Sequence, residues 1–245
     1  MPTPFNHLRV AQQLLKDPDV PPGTRHLLQV ERSAFLLGNI AADARVSSGL
    51  PRAETHFYQY DQPMIEHPWQ VMLSRYPIMA TNEVQQAFIA GYVAHLSMDE
   101  LWTTEILLPL FFEREWGIDR GYRFFMLNVL LAYLDERDYG HLEGWQADAL
   151  FAARPDHWLP FIPDPDLCAW RDLVAQQLVN ESQTLSILGA RARRTPEEFR
   201  AVLDSPSKMQ ADLWDNVPPD AVQQVERHMY TFAREQMLVY LDSSA

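Results

Sequence analysis

Residues 82–100 read NEVQQAFIAGYVAHLSMDE, and this stretch predicts a long helix. Asn82, followed three residues later by Gln85, resembles a capping box at a helix start. Apolar side chains then recur at helical spacing, at Phe88, Ile89, Tyr92, Val93 and Leu96. His95 and Asp99 stand one above the other on the same face, because residues four apart are neighbours on a helix. One helical turn therefore offers an imidazole and a carboxylate to a single cation.

Helical signals also dominate the rest of the chain. Asn6 is the predicted cap of a first helix, which ends before the breaker pair Asp17-Pro18. Further helices are predicted over residues 24–37, 122–136, 141–152, 167–192, 196–203 and 219–241. Strand alternation and hairpin turns are infrequent, and no internal repeat is visible. We therefore predict an all-α fold, a multi-helix bundle, in which residues 1–245 form one domain.

Two connections between helices are predicted to carry polar side chains. The helix over residues 24–37 is expected to end at Gly38, after which residues 39–43 form a turn that presents Asp43. Residues 46–77 read as a long, aromatic-rich connection that contains His56. Long irregular segments in compact domains are usually functional or mobile, which makes this connection a candidate part of a site.

Five side chains of metal-ligand type are spread along the chain: His7, Asp43, His56, His95 and Asp99. Zinc and related cations take histidine nitrogen and aspartate oxygen, and four such ligands complete a coordination shell without any cysteine. The pair His95 and Asp99 alone leaves another reading open. A hydrogen bond between residues four apart, or a buried histidine on a helix face, gives the same spacing.

Four short stretches resemble, in this order, the zinc-dependent phospholipase C family. They are Asn6-His7-Leu8, Gly38-Asn39-Ile40-Ala41-Ala42-Asp43, Thr55-His56-Phe57-Tyr58 and Gly91-Tyr92-Val93-Ala94-His95-Leu96-Ser97-Met98-Asp99. The family belongs to a superfamily that also contains fungal single-strand nucleases. The resemblance implies an all-helical enzyme that cleaves phosphate esters with a cluster of up to three zinc ions.

The resemblance also implies roles for the five ligands. In that family the positions matching Asp43, His56, His95 and Asp99 surround one zinc ion. The aspartate that matches Asp99 also reaches a second zinc ion, which is held by the histidine that matches His7. The family's remaining zinc site uses a histidine at the position of Glu105 and a later His-x-x-x-Glu pair, which this sequence does not contain. We therefore expect one or two zinc ions, and Glu105 is expected not to be a ligand.

On this resemblance, the predicted function is a zinc-dependent, phospholipase C-like hydrolase that acts on a small-molecule or lipid phosphoester. Asp43 is the predicted catalytic residue, as a ligand that also accepts a proton from the attacking water. A non-catalytic metal-binding or scaffold protein is the alternative, because four protein ligands can close a structural zinc site against substrate. A metal-free helical bundle is a third possibility.

The charge balance argues against nucleic-acid partners. The sequence carries 20 Lys and Arg residues against 33 Asp and Glu residues, a net charge of −13. Affinity for double-stranded nucleic acid rests on basic side chains that neutralise phosphates, so we expect no such partner. A bound cation still allows an acidic protein to bind a single phosphate. The one dense basic group, Arg191, Arg193 and Arg194, is interpreted as a helix-end feature.

The remaining features are typical of a cytoplasmic protein. Cys168 is the only cysteine, which excludes an intramolecular disulfide and multi-cysteine metal motifs. The sequence shows no signal-peptide pattern and no apolar stretch long enough to span a membrane. Four other histidines lack ligand-spaced partners and are predicted at surface or packing positions: His26, His67, His157 and His228.

Overall fold

The computed structural model describes residues 2–76, 80, 82–180 and 182–243. Within these ranges the regular structure is entirely helical and contains no β-strand, which confirms the predicted all-α fold. One continuous core of buried apolar side chains extends from Phe5 near the start of the chain to Leu241 near its end. None of the helices in these ranges is both long enough and apolar enough to cross a membrane.

The helices follow one another along the chain with short connections. They are α1 (Pro4–Leu14), α2 (Pro22–Val30), α3 (Arg32–Ala41), α4 (Arg45–Ser48), α5 (Arg52–His56), α6 (Pro68–Arg75), α7 (Glu83–Leu101), α8 (Arg120–Tyr139), α9 (Trp145–Ala152), α10 (Asp164–Val179), α11 (Thr184–Ala192), α12 (Pro196–Leu203), α13 (Pro206–Lys208) and α14 (Pro219–Ser243). A 3₁₀ turn, Ala42–Ala44, joins α3 to α4, and π-helical turns cover Trp102–Phe112 and Met209–Trp214.

The central element is α7, which packs against α3 on one side and α14 on another. Its predicted start is confirmed, because the Asn82 side chain accepts a hydrogen bond from the Gln85 backbone N–H (2.9 Å). Two glycines allow α3 and α7 to touch through their backbones. A Cβ atom on Gly38 would lie 2.0 Å from the Phe88 carbonyl oxygen, and one on Gly91 would lie 2.3 Å from the Phe35 carbonyl oxygen.

Several predicted boundaries near the site are wrong. The first helix begins at Pro4, since proline suits a first helical turn, where its missing N–H has no helical partner. Asn6 therefore lies inside α1, and its side chain donates to Asp138 (2.6 Å). Gly38 does not end a helix, because it is the contact point with α7 and α3 continues to Ala41.

Two predicted single segments are divided differently in the structure. The helix predicted over residues 24–37 is two helices that meet at Glu31, whose φ of −96° and ψ of 30° turn the chain. The helix predicted over residues 167–192 is likewise two, α10 and α11, and the Gln177 side chain accepts from the Gln183 N–H (3.0 Å) at the break. The helix predicted over residues 196–203 matches α12 at both ends.

The predicted connection over residues 46–77 contains most of α4 and all of α5 and α6. Pro51 and Pro68 stand at the starts of α5 and α6, where a fixed φ favours a helix instead of breaking it. His56 is thereby the last residue of a short helix, not part of an irregular segment. Pro77, the end of the predicted connection, lies outside the described residues.

Candidate metal centre

The five predicted ligands come together in the core. His95 and Asp99 extend from α7, His7 from α1, His56 from the end of α5, and Asp43 from the 3₁₀ turn after α3. Their nitrogen and oxygen atoms form two overlapping groups in which all ligand atoms lie within 4.8 Å of one another. One group is His7, His95 and Asp99, and the other is Asp43, His56 and His95. We call these five residues the His/Asp cluster.

The ring of His95 is oriented by a backbone carbonyl on the neighbouring helix. Its Nδ1 lies 2.7 Å from the Asn39 carbonyl oxygen, which can only accept a hydrogen bond. The proton of a neutral His95 ring is therefore on Nδ1, and Nε2 carries a free lone pair. That Nε2 is buried and has no hydrogen-bond partner among the described residues. This is the state in which an imidazole binds a metal ion.

The ring of His56 is oriented in the same sense by a hydroxyl group. Thr55 Oγ1 donates to the Arg52 carbonyl oxygen (3.3 Å) and lies 2.9 Å from His56 Nδ1. Since the hydroxyl proton is used for the carbonyl, the bond to the ring is best made by an Nδ1–H donor. The Tyr92 hydroxyl group donates to the Thr55 carbonyl oxygen (2.7 Å) and ties this segment to α7. His56 Nε2 is then free to face the two aspartates.

The two oxygens of Asp99 face different histidines. Oδ2 lies 3.2 Å from His56 Nε2 and 3.8 Å from His95 Nε2. Oδ1 lies 3.6 Å from His7 Nε2 and has no hydrogen-bond partner in the described chain. One carboxylate oxygen of Asp99 therefore faces His56 and His95, and the other faces His7. The 3.8 Å distance also argues against the open alternative of a hydrogen bond between His95 and Asp99.

His7 completes the second group. Its ring stacks on that of His95, with centroids 3.8 Å apart and an angle of 11° between the planes. Both of its ring nitrogens are buried without a hydrogen-bond partner in the described residues. Leaving buried polar atoms unpaired costs about 1–3 kcal/mol each, so this ring position needs an explanation beyond packing.

Burial and charge fix the protonation states that a metal ion requires. His7, His56, His95 and Asp99 are fully buried. Burial, followed by the charge of the neighbouring His7, lowers the pKa of His95 to about 3. Burial and the positive charge of Arg52 also lower the pKa of His56. Burial acts to raise the pKa of Asp99, but the adjacent imidazoles of His56 and His7 outweigh it and hold that pKa well below the ordinary value.

Arg52 is a site residue that the sequence analysis did not find. Its guanidinium group donates to Asp99 Oδ2 (2.9 Å) and to the Tyr58 hydroxyl group (2.5 Å). It also lies over the rings of Tyr58 and Tyr60, 4.2 and 4.8 Å from their centroids. Tyr58 in turn lies 2.7 Å from Thr103 Oγ1, on the helical turn that follows Asp99. No spacing signal links Arg52 to Asp99, because the two lie 47 residues apart.

The other candidate residues lie outside the His/Asp cluster. Glu105 pairs with His228 Nδ1 (2.8 Å), and the His67 ring pairs with Glu100 (2.9 Å). His157 has no ligand-spaced partner in the sequence, but the structure brings two carboxylates to it. Its ring lies among the carboxylates of Asp156 and Asp164, because the turn before α10 folds back on the start of that helix. His157 is nevertheless at the surface, as predicted.

The His/Asp cluster has the donor set for a metal ion: buried imidazoles with free Nε2 atoms beside carboxylate oxygens. A tetrahedral zinc ion with ligands at 2.0–2.1 Å separates neighbouring ligand atoms by about 3.3 Å. Three separations in the structure, between His56 and Asp43 (3.6 Å), His56 and Asp99 (3.2 Å) and His95 and Asp99 (3.8 Å), bracket that value.

Comparison of the chain with protein families, with curated proteins and with solved structures found no match.

Proposed function

We propose that this protein is a zinc-dependent hydrolase of phosphate esters. The observation that carries the proposal is the position of the Asp99 carboxylate, whose Oδ2 faces His56 and His95 while Oδ1 faces His7. A carboxylate between two sets of ligands is the arrangement that holds two neighbouring cations, and paired cations act on both the attacking and the leaving oxygen of a phosphoester. The sequence resemblance to zinc-dependent phospholipases C supports the same reaction.

Each ligand has a defined part in the proposal. Asp43, His56, His95 and Asp99 Oδ2 would hold one zinc ion, and His7 with Asp99 Oδ1 would hold a second. Bound there, zinc supplies Lewis acidity: it lowers the pKa of water toward neutrality and stabilises the negative charge that develops on phosphate oxygens. The hydrogen bond from His95 to Asn39 and the contact of His56 with Thr55 keep both rings oriented for this role.

Asp43 is the proposed proton acceptor. Its side chain is 10% exposed, whereas the side chains of His56 and Asp99 are fully buried. Among the five ligands it is therefore the one at which water and substrate can arrive. A carboxylate at that edge can take a proton from an attacking water while a neighbouring imidazole remains a ligand.

A closed structural zinc site is the second candidate, and burial favours it. Four of the five ligands have no exposed surface, as is typical of a metal ion that stabilises a fold and excludes substrate. The two candidates differ in one measurable respect. A structural ion would leave phosphate esters intact however completely the site were loaded.

The test combines metal content with hydrolysis of an activated phosphodiester, bis(p-nitrophenyl) phosphate. Zinc-loaded protein is expected to cleave it, and Asp43→Asn is expected to lower kcat per bound zinc by at least about 100-fold, because an amide cannot accept the proton. Asp148→Asn is the matched control, since Asp148 is exposed on α9, away from the five ligands. It should retain the rate of the unchanged protein.

Two outcomes would contradict parts of the hydrolase proposal. Fully loaded protein that leaves this diester, phospholipids and single-stranded DNA intact would exclude the hydrolase and favour the structural site. Asp43→Asn with an unchanged rate per zinc would remove Asp43 from the chemistry and leave the metal assignment standing.

A further inference from the structure

Three arginines gather beside the exposed edge of the His/Asp cluster. Arg45 begins α4, two residues after Asp43, and Arg52 begins α5. Arg191, in the last turn of α11, interacts electrostatically with Asp43, Tyr60, Arg45 and Arg52. Three separate helices thus bring arginines into the electrostatic neighbourhood of Asp43, the one ligand that reaches the surface.

Two of these arginines have no carboxylate at ion-pair distance in the part of the chain that the structure describes. Neither Arg45 nor Arg191 makes a direct ion pair within the described chain, and the buried Nε of Arg45 has no hydrogen-bond partner there. This is unexpected in a protein with 33 acidic and 20 basic residues. Elsewhere arginines do find carboxylates: Arg137 pairs with Glu226 and Arg234 with Asp17.

The positive charges of Arg45, Arg52 and Arg191 repel one another. Partial desolvation lowers the pKa of Arg191, and the positive charges of Arg45 and Arg52 add to the decrease, while Tyr60 and Asp43 oppose it. The ring of Phe124 lies 5.6 Å beneath the Arg191 guanidinium group and supports it without neutralising it. Arg52 is already held by Asp99, Tyr58 and Tyr60, so it cannot move away from the other two. An anion placed between these groups would relieve the repulsion.

We propose that Arg45, Arg52 and Arg191 bind the phosphate group of the substrate at the exposed edge of the His/Asp cluster. This inference rests on the proposed function and names the part of the substrate that is recognised. Arginine presents a planar fork of N–H donors that matches two phosphate oxygens, and it remains charged at every working pH. Arg52 donates to Asp99 as well, so a phosphate bound here lies next to the proposed zinc ligands.

The arrangement also explains how a protein of net charge −13 attracts a negatively charged substrate. The three guanidinium groups create a local positive field at the only ligand with exposed surface, while the rest of the acidic surface repels long polyanions. The expected substrate is therefore a phosphate ester of limited size. Its phosphate is recognised by arginine, and its remaining part lies over the neighbouring protein surface.

The experiment measures the binding of inorganic phosphate to zinc-loaded protein by titration calorimetry. Arg45→Gln and Arg191→Gln are each expected to weaken phosphate binding by about tenfold or more, since a hydrogen bond to a charged group contributes about 1.5–3 kcal/mol. Arg193→Gln is the matched control, because it removes the same charge from an exposed position two residues from Arg191. It should change the affinity less than about twofold.

The hydrolysis assay separates this inference from the proposed function. If phosphate binds and the two variants weaken it, but no ester is cleaved, the arginine site stands and the hydrolase proposal fails. If esters are cleaved and both variants keep the unchanged KM and phosphate affinity, the hydrolase stands and the arginine site is refuted. Equal losses in Arg193→Gln, or no phosphate binding by the unchanged protein, would also refute it. Unchanged zinc content and melting temperature in the variants exclude a folding defect as the cause.

Discussion

Asp135 on α8 is a buried carboxyl group outside the His/Asp cluster. Its side chain accepts a hydrogen bond from the Thr184 hydroxyl group, a partner on α11. Burial raises the pKa of Asp135 to about 6, despite this hydrogen bond. The folded protein therefore holds a proton on Asp135 at a pH where the unfolded chain, with an ordinary pKa near 3.8, has released it.

This residue predicts a definite pH dependence of stability. The raised pKa means that the contribution of Asp135 to stability is complete below about pH 4 and is lost as pH rises to about 6. Asp135→Asn stays neutral at both pH values. The free energy of unfolding of the variant minus that of the unchanged protein should therefore be about 2 kcal/mol more favourable to the variant at pH 7.5 than at pH 4.5. Urea denaturation at the two pH values measures the difference.

The control for this prediction is Asp148→Asn, because Asp148 is exposed and should show no such pH-dependent gain. A loss of stability in Asp135→Asn that is larger at pH 7.5 than at pH 4.5 would contradict the assigned ionisation. The change leaves Thr184 with an acceptor, since the asparagine amide oxygen can replace the carboxylate oxygen.

At the scale of helices, the contact of α3 with α7 sets the geometry of the His/Asp cluster. It brings the Asn39 carbonyl oxygen to His95 Nδ1. Gly91 makes the contact possible, because a Cβ atom there would lie 2.3 Å from the Phe35 carbonyl oxygen and 2.9 Å from the Asn39 side-chain amide. A backbone oxygen inside a helix cannot move away as the end of a side chain can.

Gly91→Ala is therefore expected to push the helices apart and to lower the free energy of unfolding by about 3 kcal/mol. It should also reduce zinc affinity, because His95 loses the acceptor that orients it. Gly23→Ala in α2 is the control: a Cβ atom there meets nothing within 4 Å, and alanine favours a helix. If Gly91→Ala unfolds like the unchanged protein and binds zinc equally well, the close contact does not control the site.

The helices differ in how far the sequence predicts them. Apolar spacing and a capping residue predict α7 because both signals lie within the helix itself. Gly38 was interpreted as a helix end, and only its contact with Phe88 on another helix explains why α3 continues past it. The short helices α5 and α6 are not predicted by the sequence pattern, although Pro51 and Pro68 stand at their starts, where proline favours a helix.

The five candidate ligands of the His/Asp cluster were also predictable from local sequence signals. The five ligand candidates were found from short motifs whose order along the chain is informative. The residues around them were not found: Arg52 meets Asp99 across 47 residues of sequence, and Arg191 lies on α11, and no local pattern encodes either position. Arg191 was interpreted as a helix-end charge, and it does lie in the last turn of α11, yet its neighbours include Asp43.

At the scale of the whole molecule, the proposed metal ions connect segments that are distant in sequence. The ligands come from α1, from the turn after α3, from α5 and from α7. The unfolded chain does not hold these segments together, so the free energy of metal binding stabilises the folded state alone. Removal of metal would leave four buried ligands facing one another without a cation.

Chelation of zinc is therefore expected to lower the melting temperature by about 10 °C, as several kcal/mol of binding energy are lost. Differential scanning calorimetry before and after chelation measures this, with elemental analysis to verify removal. Readdition of zinc should restore the original transition. An unchanged melting curve in verified metal-free protein would mean that no ion joins these helices.

The complete burial of four ligands also bears on how the protein would take up a metal ion. An ion that enters the folded protein must pass Asp43, the one ligand of the five with exposed surface, whereas the unfolded chain leaves all five ligands accessible. Uptake of an ion during folding is therefore expected to be faster than exchange of a bound ion in the folded protein. Copper(II) binds such ligands more tightly than zinc at equilibrium, so slow exchange would allow the ion that is present during folding to stay bound.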